Sequence, residues 1–370
     1  MTPPPEPIVP LDLLALTGDA AITAARARLV RGAEAARAIY RQATREGRFA
    51  PEHHGLPAAA VDDWRRHFTL RLPRVVRQVE EHAAWGAETV KLVLETHDGL
   101  PIECVRIPRK NGRASLCVSS QVGCRQGCAF CQTARMGFRR DLSAAEIVGQ
   151  VVVARATLGW SIDAVVFMGM GEPLDNLDNV ITALRVLNDR RGLNISRRHL
   201  AVCTAGLPAG IERLAALRWR RLGLAVSLTS AREETRASLM PIARRVSLAD
   251  LQRALLGYRR QLAPQPSAEH NNLVLSVNYC LLPGINDTED DARAVAAFIE
   301  PLGKVLVHVI PYNPGSSPIT RAADDEETCR FVTRLLDHGV CANQRVAKGR
   351  AVMAACGQLG SRSLPCSAGS

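Results

Sequence analysis

From about residue 115 onward, short apolar runs alternate with longer stretches whose apolar residues recur every three to four positions. That alternation predicts buried parallel strands crossed over by helices. Strands are expected at residues 115–119, 164–168, 200–203, 222–228, 273–281 and 304–311. Ser143-Ala-Ala-Glu146 is a capping box and opens a helix running toward Leu158, and Ser247-Leu-Ala-Asp250 marks another helix start. About six β/α units make an open or partial barrel, with ligands at the carboxyl ends of the strands. Upstream, β-like runs at 89–95 and 102–107 flank Asp98-Gly99, a dipeptide suited to turns of positive φ, so a hairpin is expected with Glu103 on its second strand. Between Leu11 and Val79 the pattern reads as short helices: 33–45 is rich in Ala with Ile39 and Tyr40, and 61–68 sets Trp64 and Phe68 four apart.

These patterns divide the chain into a disordered tail (1–10), a small helical N-terminal domain (11–80), a β-hairpin carrying Glu103 (85–110), a partial barrel (111–345) and a C-terminal segment carrying Cys356 (346–370). Residues 263–272 read as a loop, and those after Gly360 as a frayed tail.

Composition adds a partner and a compartment. Hydrophobic residues make up 47% of 370, enough for a large core. The net charge of +11 comes far more from arginine than from lysine, and guanidinium forks fit phosphate oxygens, so a polyanionic partner is one reading and genome composition the other. Arg65, Arg66, Arg71, Arg74 and Arg77 in the N-terminal region are candidate phosphate contacts or a solvated face. Eleven cysteines, an odd number, follow a start, MTPPPEPIVP, with no secretory apolar core, which argues against a disulfide scaffold and for reduced thiols in a cytoplasm. No apolar run reaches the ~20 residues of a membrane span.

Just past the first barrel strand stands Cys124-x3-Cys128-x2-Cys131. Three thiolates from one tight loop can converge on one inorganic centre. Structural zinc normally closes its shell with four ligands, whereas an iron-sulfur cube held by three cysteines keeps one iron open. Zinc completed by a distant Cys or His, and chance clustering of buried cysteines, remain the alternatives.

That spacing at the first strand of a partial barrel resembles the radical S-adenosylmethionine (SAM) superfamily. The resemblance implies an α/β fold, a partial (β/α)6 radical SAM barrel with a small helical N-terminal domain and a β-hairpin extension. It also implies one 4Fe-4S cluster on Cys124, Cys128 and Cys131, whose open iron chelates SAM and yields a 5′-deoxyadenosyl radical on one-electron reduction. Residues 116–124 (LCVSSQVGC), 133–138 (TARMGF), 168–173 (MGMGEP) and 354–359 (AACGQL) resemble, in order, the cluster-loop entry and exit, the SAM-amino motif and the methyl-carrying cysteine segment of the RlmN/Cfr family of RNA adenosine methyltransferases.

By that resemblance Cys356 takes a methyl group from one SAM, a radical from a second SAM activates it toward carbon 2 or carbon 8 of adenine, Cys117 resolves the resulting adduct, and Glu103 accepts the ring proton. Carbon 2 is expected ahead of carbon 8. A disulfide bond belongs to the same expectation. SAM contacts carried over are Gly171, Glu172, Cys203, Ser227, Leu228, Thr229 and Asn313. The implied partners are RNA, from the large ribosomal subunit or else transfer RNA, and an electron donor such as flavodoxin or ferredoxin, for a monomeric enzyme. Cys104, Cys280, Cys329, Cys341 and Cys366 are assigned to packing or surface. The chain departs from the family where Cys203 replaces a usual serine, where Thr229 replaces a common histidine, and where Gly349-Arg-Ala-Val352 lacks the acid of a Gly-x-Asp-Ile run. A paralogue that keeps cluster and SAM but does not turn over, and a zinc-containing RNA-binding protein without catalysis, are the competing readings.

Overall fold

The computed structural model describes residues 8–82, 88–109, 112–262, 275–346 and 348–360. The chain begins with β1 (Leu11–Asp12), followed by α1 (Gly18–Arg28), α2 (Ala36–Glu46), α3 (Ala58–His67) and β2 (Phe68–Thr69), which pairs in parallel with β1. Leu13, Ile39, Tyr40, Trp64 and Phe68 bury a core of their own. The Trp64 and Phe68 rings lie 4.7 Å apart, as a four-residue spacing on one face allows. The indole Nε1 donates to the Gly32 carbonyl at 3.0 Å, so its polar edge is satisfied.

The stretch expected to end this helical region is instead a strand. β3 (Arg74–His82) alternates exposed and partly covered positions at every step, which is the period of a strand with one covered face. Val75 and Val79, four apart, lie on one face of a strand and also fit a helical stripe, so the two periods coincide there. β3 pairs antiparallel with β4 (Glu88–Glu95), β4 with β5 (Pro101–Pro108), and β5 with β6 (Ala114–Cys117). The expected hairpin is therefore the inner part of a three-stranded antiparallel meander fused to the barrel edge.

Beyond β6 come the short antiparallel pair β7 (Gln121–Gly123) and β8 (Phe138–Asp141), with α4 (Gln132–Arg135) between them. Next is α5 (Ala144–Val152). Its capping box is formed: Ser143 Oγ accepts from the Glu146 N–H at 3.2 Å, and the Glu146 carboxylate accepts from the Ser143 N–H at 2.9 Å. A π-helical turn at Val153–Thr157 carries α5 on to Leu158. The parallel strands continue as β9 (Ile162–Phe167), β10 (Leu200–Thr204), β11 (Gly223–Ser227), β12 (Leu275–Leu281), β13 (Leu306–Pro311) and β14 (Ala342–Gln344). The intervening helices are α6 (Leu177–Asn188), α7 (Pro208–Ala216), α8 (Glu233–Leu239), α9 (Leu248–Leu262), α10 (Glu289–Ile299) and α11 (Asp325–Asp337).

The ten-stranded sheet runs β14-β13-β12-β11-β10-β9-β6-β5-β4-β3, parallel from β14 to β6 and antiparallel beyond. All six strands expected for the barrel are present, and β14 adds a seventh whose Ala-Asn-Gln sequence carries no apolar period. The main core lies between sheet and helices and is built from Val, Leu and Ile of both. Residues 1–7, the loop expected at 263–272, the tail after Gly360 and Cys366 lie outside the described residues.

Candidate active site

The cysteine loop is set by backbone contacts. Gly123 has φ 79°, and a Cβ there would sit 1.8 Å from the Gly137 carbonyl oxygen, so only glycine lets the loop's two ends close. That carbonyl accepts the Cys124 N–H at 3.1 Å, and the Cys131 N–H closes a turn on the Cys128 carbonyl at 3.1 Å. Cys124 Sγ accepts from the Gln126 N–H at 3.5 Å. Burial pushes the Cys124 thiol up to about 12 and raises Cys128 well above the ordinary thiol range, with the neighbouring sulfurs adding to both. Such thiols ionise only against positive charge, which a metal centre brings.

The three thiols line a cavity of about 170 Å³ at the carboxyl ends of β9 to β13. Gly171, Glu172, Cys203, Ser227, Thr229 and Cys356 line it too. The turn after β9 packs on the segment that leads from β6 to β7: a Cβ on Gly169 would meet the Val118 carbonyl at 2.7 Å, and one on Gly171 the Gln121 side chain at 2.6 Å. The two glycines of the MGMGEP run are thereby explained. Glu172 is buried, accepting the Leu174 N–H at 2.9 Å and the Ala205 N–H at 2.7 Å, and burial pushes its carboxyl up to about 7 against those bonds. Cys203 Sγ lies 3.6 Å from Ser227 Oγ and 3.3 Å from Asn278 Nδ2, and burial pushes it up to about 11.

Two carried-over residues do not line the cavity. Leu228 is in the main core, and its carbonyl accepts from Arg236 Nε at 3.2 Å. Asn313 donates from Nδ2 to the Cys356 carbonyl at 3.2 Å and accepts from Arg350 Nε at 2.8 Å, so it holds the cysteine segment.

The model of the radical SAM superfamily matches residues 118–296. A dual-specificity RNA methyltransferase RlmN of Syntrophotalea carbinolica is 39% identical over 79% of this chain and 75% of its own length. A probable RNA methyltransferase of Sorangium cellulosum is 40% identical over 82% and 74%. The crystal structure of a radical SAM methyltransferase from Sphaerobacter thermophilus superposes with a TM-score of 0.83 at 32% identity, covering 95% of this chain and 99% of that one. The chain belongs to the RlmN/Cfr family of radical SAM RNA methyltransferases.

Family membership makes it a SAM-dependent methyltransferase of the radical type, and the family implies a 4Fe-4S cluster and SAM. Three thiols of one loop opening into one cavity fit such a cluster. The cavity beside them offers a polar atom with no partner, the buried Asn278 Oδ1. Asn278 and Cys280 were missed as site residues. They are two apart on β12, so they share a face, and a lone Asn in the apolar run Leu-Ser-Val-Asn-Tyr-Cys-Leu was the available signal. Cys280, expected to be packing, lines the cavity.

The family's other residues gather behind Cys356. Glu103 is buried on β5; its Oε2 accepts the Gly360 N–H at 2.8 Å and its Oε1 lies 3.5 Å from Lys91 Nζ. Lys91 also donates to the Met353 carbonyl at 3.1 Å. Burial raises the Glu103 carboxyl and lowers the Lys91 amine, each pulled back by the other's charge. Cys117 pairs with Val105 and Val166 across the sheet and packs with Val352, Ala354 and Leu359 beneath the Cys356 segment. Burial raises its thiol, with Cys356 the next cause. Cys104 faces the opposite side, into the main core. The expected disulfide bond is not present: all ten described cysteines are free, with Cys117 inside the sheet and Cys356 exposed on its loop.

Proposed function

We propose that this enzyme methylates an adenine ring carbon of RNA, carbon 2 ahead of carbon 8, through a methyl group carried on Cys356. One observation carries the reading: Cys356 opens into the same cavity as the three cluster thiols and Glu172. The Cys356 thiolate displaces the methyl group of one SAM, forming a sulfur-carbon bond and releasing S-adenosylhomocysteine. Cys124, Cys128 and Cys131 would hold the cluster, which would supply the one-electron chemistry at the cavity, and Cys356 presents the S-methyl group from which a radical derived from a second SAM would remove a hydrogen atom. The methylene carbon on Cys356 bonds to the electron-poor ring carbon, and Glu103, its basicity raised by burial, accepts the ring proton. Cys117 then attacks Cys356: a sulfur-sulfur bond forms, the carbon-sulfur bond breaks, and the freed electron pair takes up a proton to leave a methyl group on RNA. The disulfide is thus a product of turnover, reset by reduction.

Gly171, Glu172, Cys203, Ser227 and Thr229 are assigned to SAM, with Asn313 and Leu228 acting through the elements they hold. Ribosomal RNA of the large subunit is the proposed substrate, with another RNA such as transfer RNA as the alternative; relatives named as RNA methyltransferases support RNA as the substrate class. Arg37, Arg41, Arg45, Arg190 and Arg191 line an open cleft on the N-terminal helices that suits phosphates. Glu34 and Glu46 share that lining, Arg191 pairs with Asp19 at 2.7 Å and Arg45 donates to the Gly192 carbonyl at 2.9 Å, while Arg65, Arg66 and Arg74, named from the sequence as candidate phosphate contacts, pair with Glu52, Asp63 and Glu95. A flavodoxin or ferredoxin as electron donor, a cytoplasmic setting and a monomer complete the proposal. Among the described residues no helix is long and apolar enough to cross a membrane.

The test is anaerobic reconstitution, reaction with methyl-labelled SAM and RNA, and mass spectrometry of the nucleosides and of the Cys356 peptide. Methyladenosine with label on Cys356 is expected. Label on neither, with the cluster spectroscopically intact, overturns the reading.

A further inference from the structure

We propose that Glu81, on strand β3, is a positioning residue that supplies from outside the loop the carboxylate that seats the Cys356 segment. The proposal rests on the reading of Cys356 as the methyl carrier. The segment enters through a turn at Gly349, where φ is 80°. The N–H groups of Gly349 and Ala351 both donate to the Glu81 carboxylate, the second at 2.8 Å. Two donors of one turn on one anion fix its position and orientation together.

The sequence explains why the acid must come from elsewhere. Residues 348–360 read Lys-Gly-Arg-Ala-Val-Met-Ala-Ala-Cys-Gly-Gln-Leu-Gly and contain no Asp or Glu. The departure of Ala351 from the family's Gly-x-Asp-Ile run removes the acid that could cap the turn locally. A carboxylate about 270 positions earlier in the chain stands there instead. The backbone is shaped to admit it: Glu81 pairs with Thr89 across β3 and β4, and a Cβ on Gly349 would lie 3.1 Å from Thr89 Cγ2, so the turn rests on that rung of the sheet. The three strands of the meander then contribute four anchors along the segment: the Pro108 carbonyl at Lys348, Glu81 at the entry turn, Lys91 at Met353 and Glu103 at Gly360. Asn313 ties Arg350 to the Cys356 carbonyl between them. Without Glu81 the Gly349 and Ala351 amides lose their acceptor, and the entry is held only by the Lys348 side chain on the Pro108 carbonyl at 2.9 Å.

The experiment is hydrogen exchange of the peptide spanning 348–360 in reconstituted full-length protein, alongside labelled-methyl turnover. In Glu81→Ala, the Gly349 and Ala351 amides are expected to exchange about tenfold faster or more, the scale of a lost charge-assisted hydrogen bond, with kcat falling about as much and KM for SAM changed less than about twofold. Glu81→Gln, which keeps shape and one acceptor, falls between. The deciding variant is Glu81→Ala combined with Ala351→Asp: return of the acid to the loop restores both protection and kcat. Glu80→Ala, on the opposite face of the strand, leaves both unchanged. Unaltered exchange in Glu81→Ala, or no recovery on adding Ala351→Asp to a variant whose melting matches the parent, overturns the proposal. Wild-type protein without methyl on Cys356 sinks the functional reading alone, because the exchange comparison judges the clasp without it.

Discussion

The two halves of the site are made by different means. The cluster loop and the turn after β9 are placed by backbone meeting backbone, at Gly123 against Gly137 and Gly169 against Val118, where no side chain fits. The Cys356 segment is placed by side chains reaching across long stretches of sequence: Glu81, Lys91, Glu103 and Asn313 each bond its main chain or Arg350. Backbone close approach tolerates no substitution and so leaves a fixed string of letters. Side-chain anchoring accepts any residue of suitable chemistry that can reach, and leaves no string at all.

The sharpest way to break the first half is Gly123→Ala. The added methyl cannot coexist with the Gly137 carbonyl, and φ 79° adds strain, so the loop must open. Iron content after reconstitution and turnover are both expected to fall to background, read by iron assay and the 400 nm absorbance band, while the melting of the barrel changes little. Normal iron loading would show that the loop is less constrained than its geometry says.

In the second half the largest effect belongs to Glu103. Glu103→Gln keeps the shape facing Gly360 and removes the base, so turnover should drop about 10²-fold, the lower range for general-base catalysis, with iron content unchanged. In the wild-type enzyme the raised carboxyl pKa puts activity on a limb that falls as pH is lowered through it, and the variant should lack that limb. A pH profile of labelled-methyl incorporation decides.

Glu172 gives a smaller effect on stability. Its carboxyl goes from an ordinary 4.5 to about 7 on burial, so the folded state binds a proton more tightly than the unfolded one. Its contribution is therefore fully present below about pH 4.5 and lost as pH rises to about 7, roughly 3 kcal/mol in all. Urea melts of the cluster-free protein should show this slope, and Glu172→Gln should flatten it. An equal slope in the variant would assign the titration to another group.

The same contrast explains what the sequence made legible. The barrel strands, the capping box at Ser143, the tight turn at Gly123 and the MGMGEP turn were readable because burial and close approach impose period or fixed residue types. β3 escaped notice because Val75 and Val79 satisfy two periods at once, and β14 was not expected because Ala-Asn-Gln carries no apolar period. Cys280 was taken as packing because one cysteine on a buried strand looks the same whether a cavity or a helix faces it. Glu81 was invisible for a stronger reason: its partners are amides, which every residue has, so nothing in the sequence of the loop names it.

The two halves touch at α4, and the contact there is the finest probe of whether they move together. Thr133 Oγ1 donates to the Leu359 carbonyl at 2.8 Å, and the Gln132 N–H donates to the Gly357 carbonyl at 2.7 Å, directly after the last cluster cysteine. Thr133→Val keeps the volume and removes one buried hydrogen bond, about 1 kcal/mol. Taken in a double-mutant cycle with Glu103→Ala, which removes the acceptor at Gly360, the stability losses should exceed simple additivity by more than the ~0.5 kcal/mol that independent sites allow. The reason is that Leu359 and Gly360 are adjacent, so one residue's length of chain carries both anchors. Strict additivity would mean that the cluster loop and the Cys356 segment are fastened separately, and that chemistry at the cavity needs no concerted motion of the two.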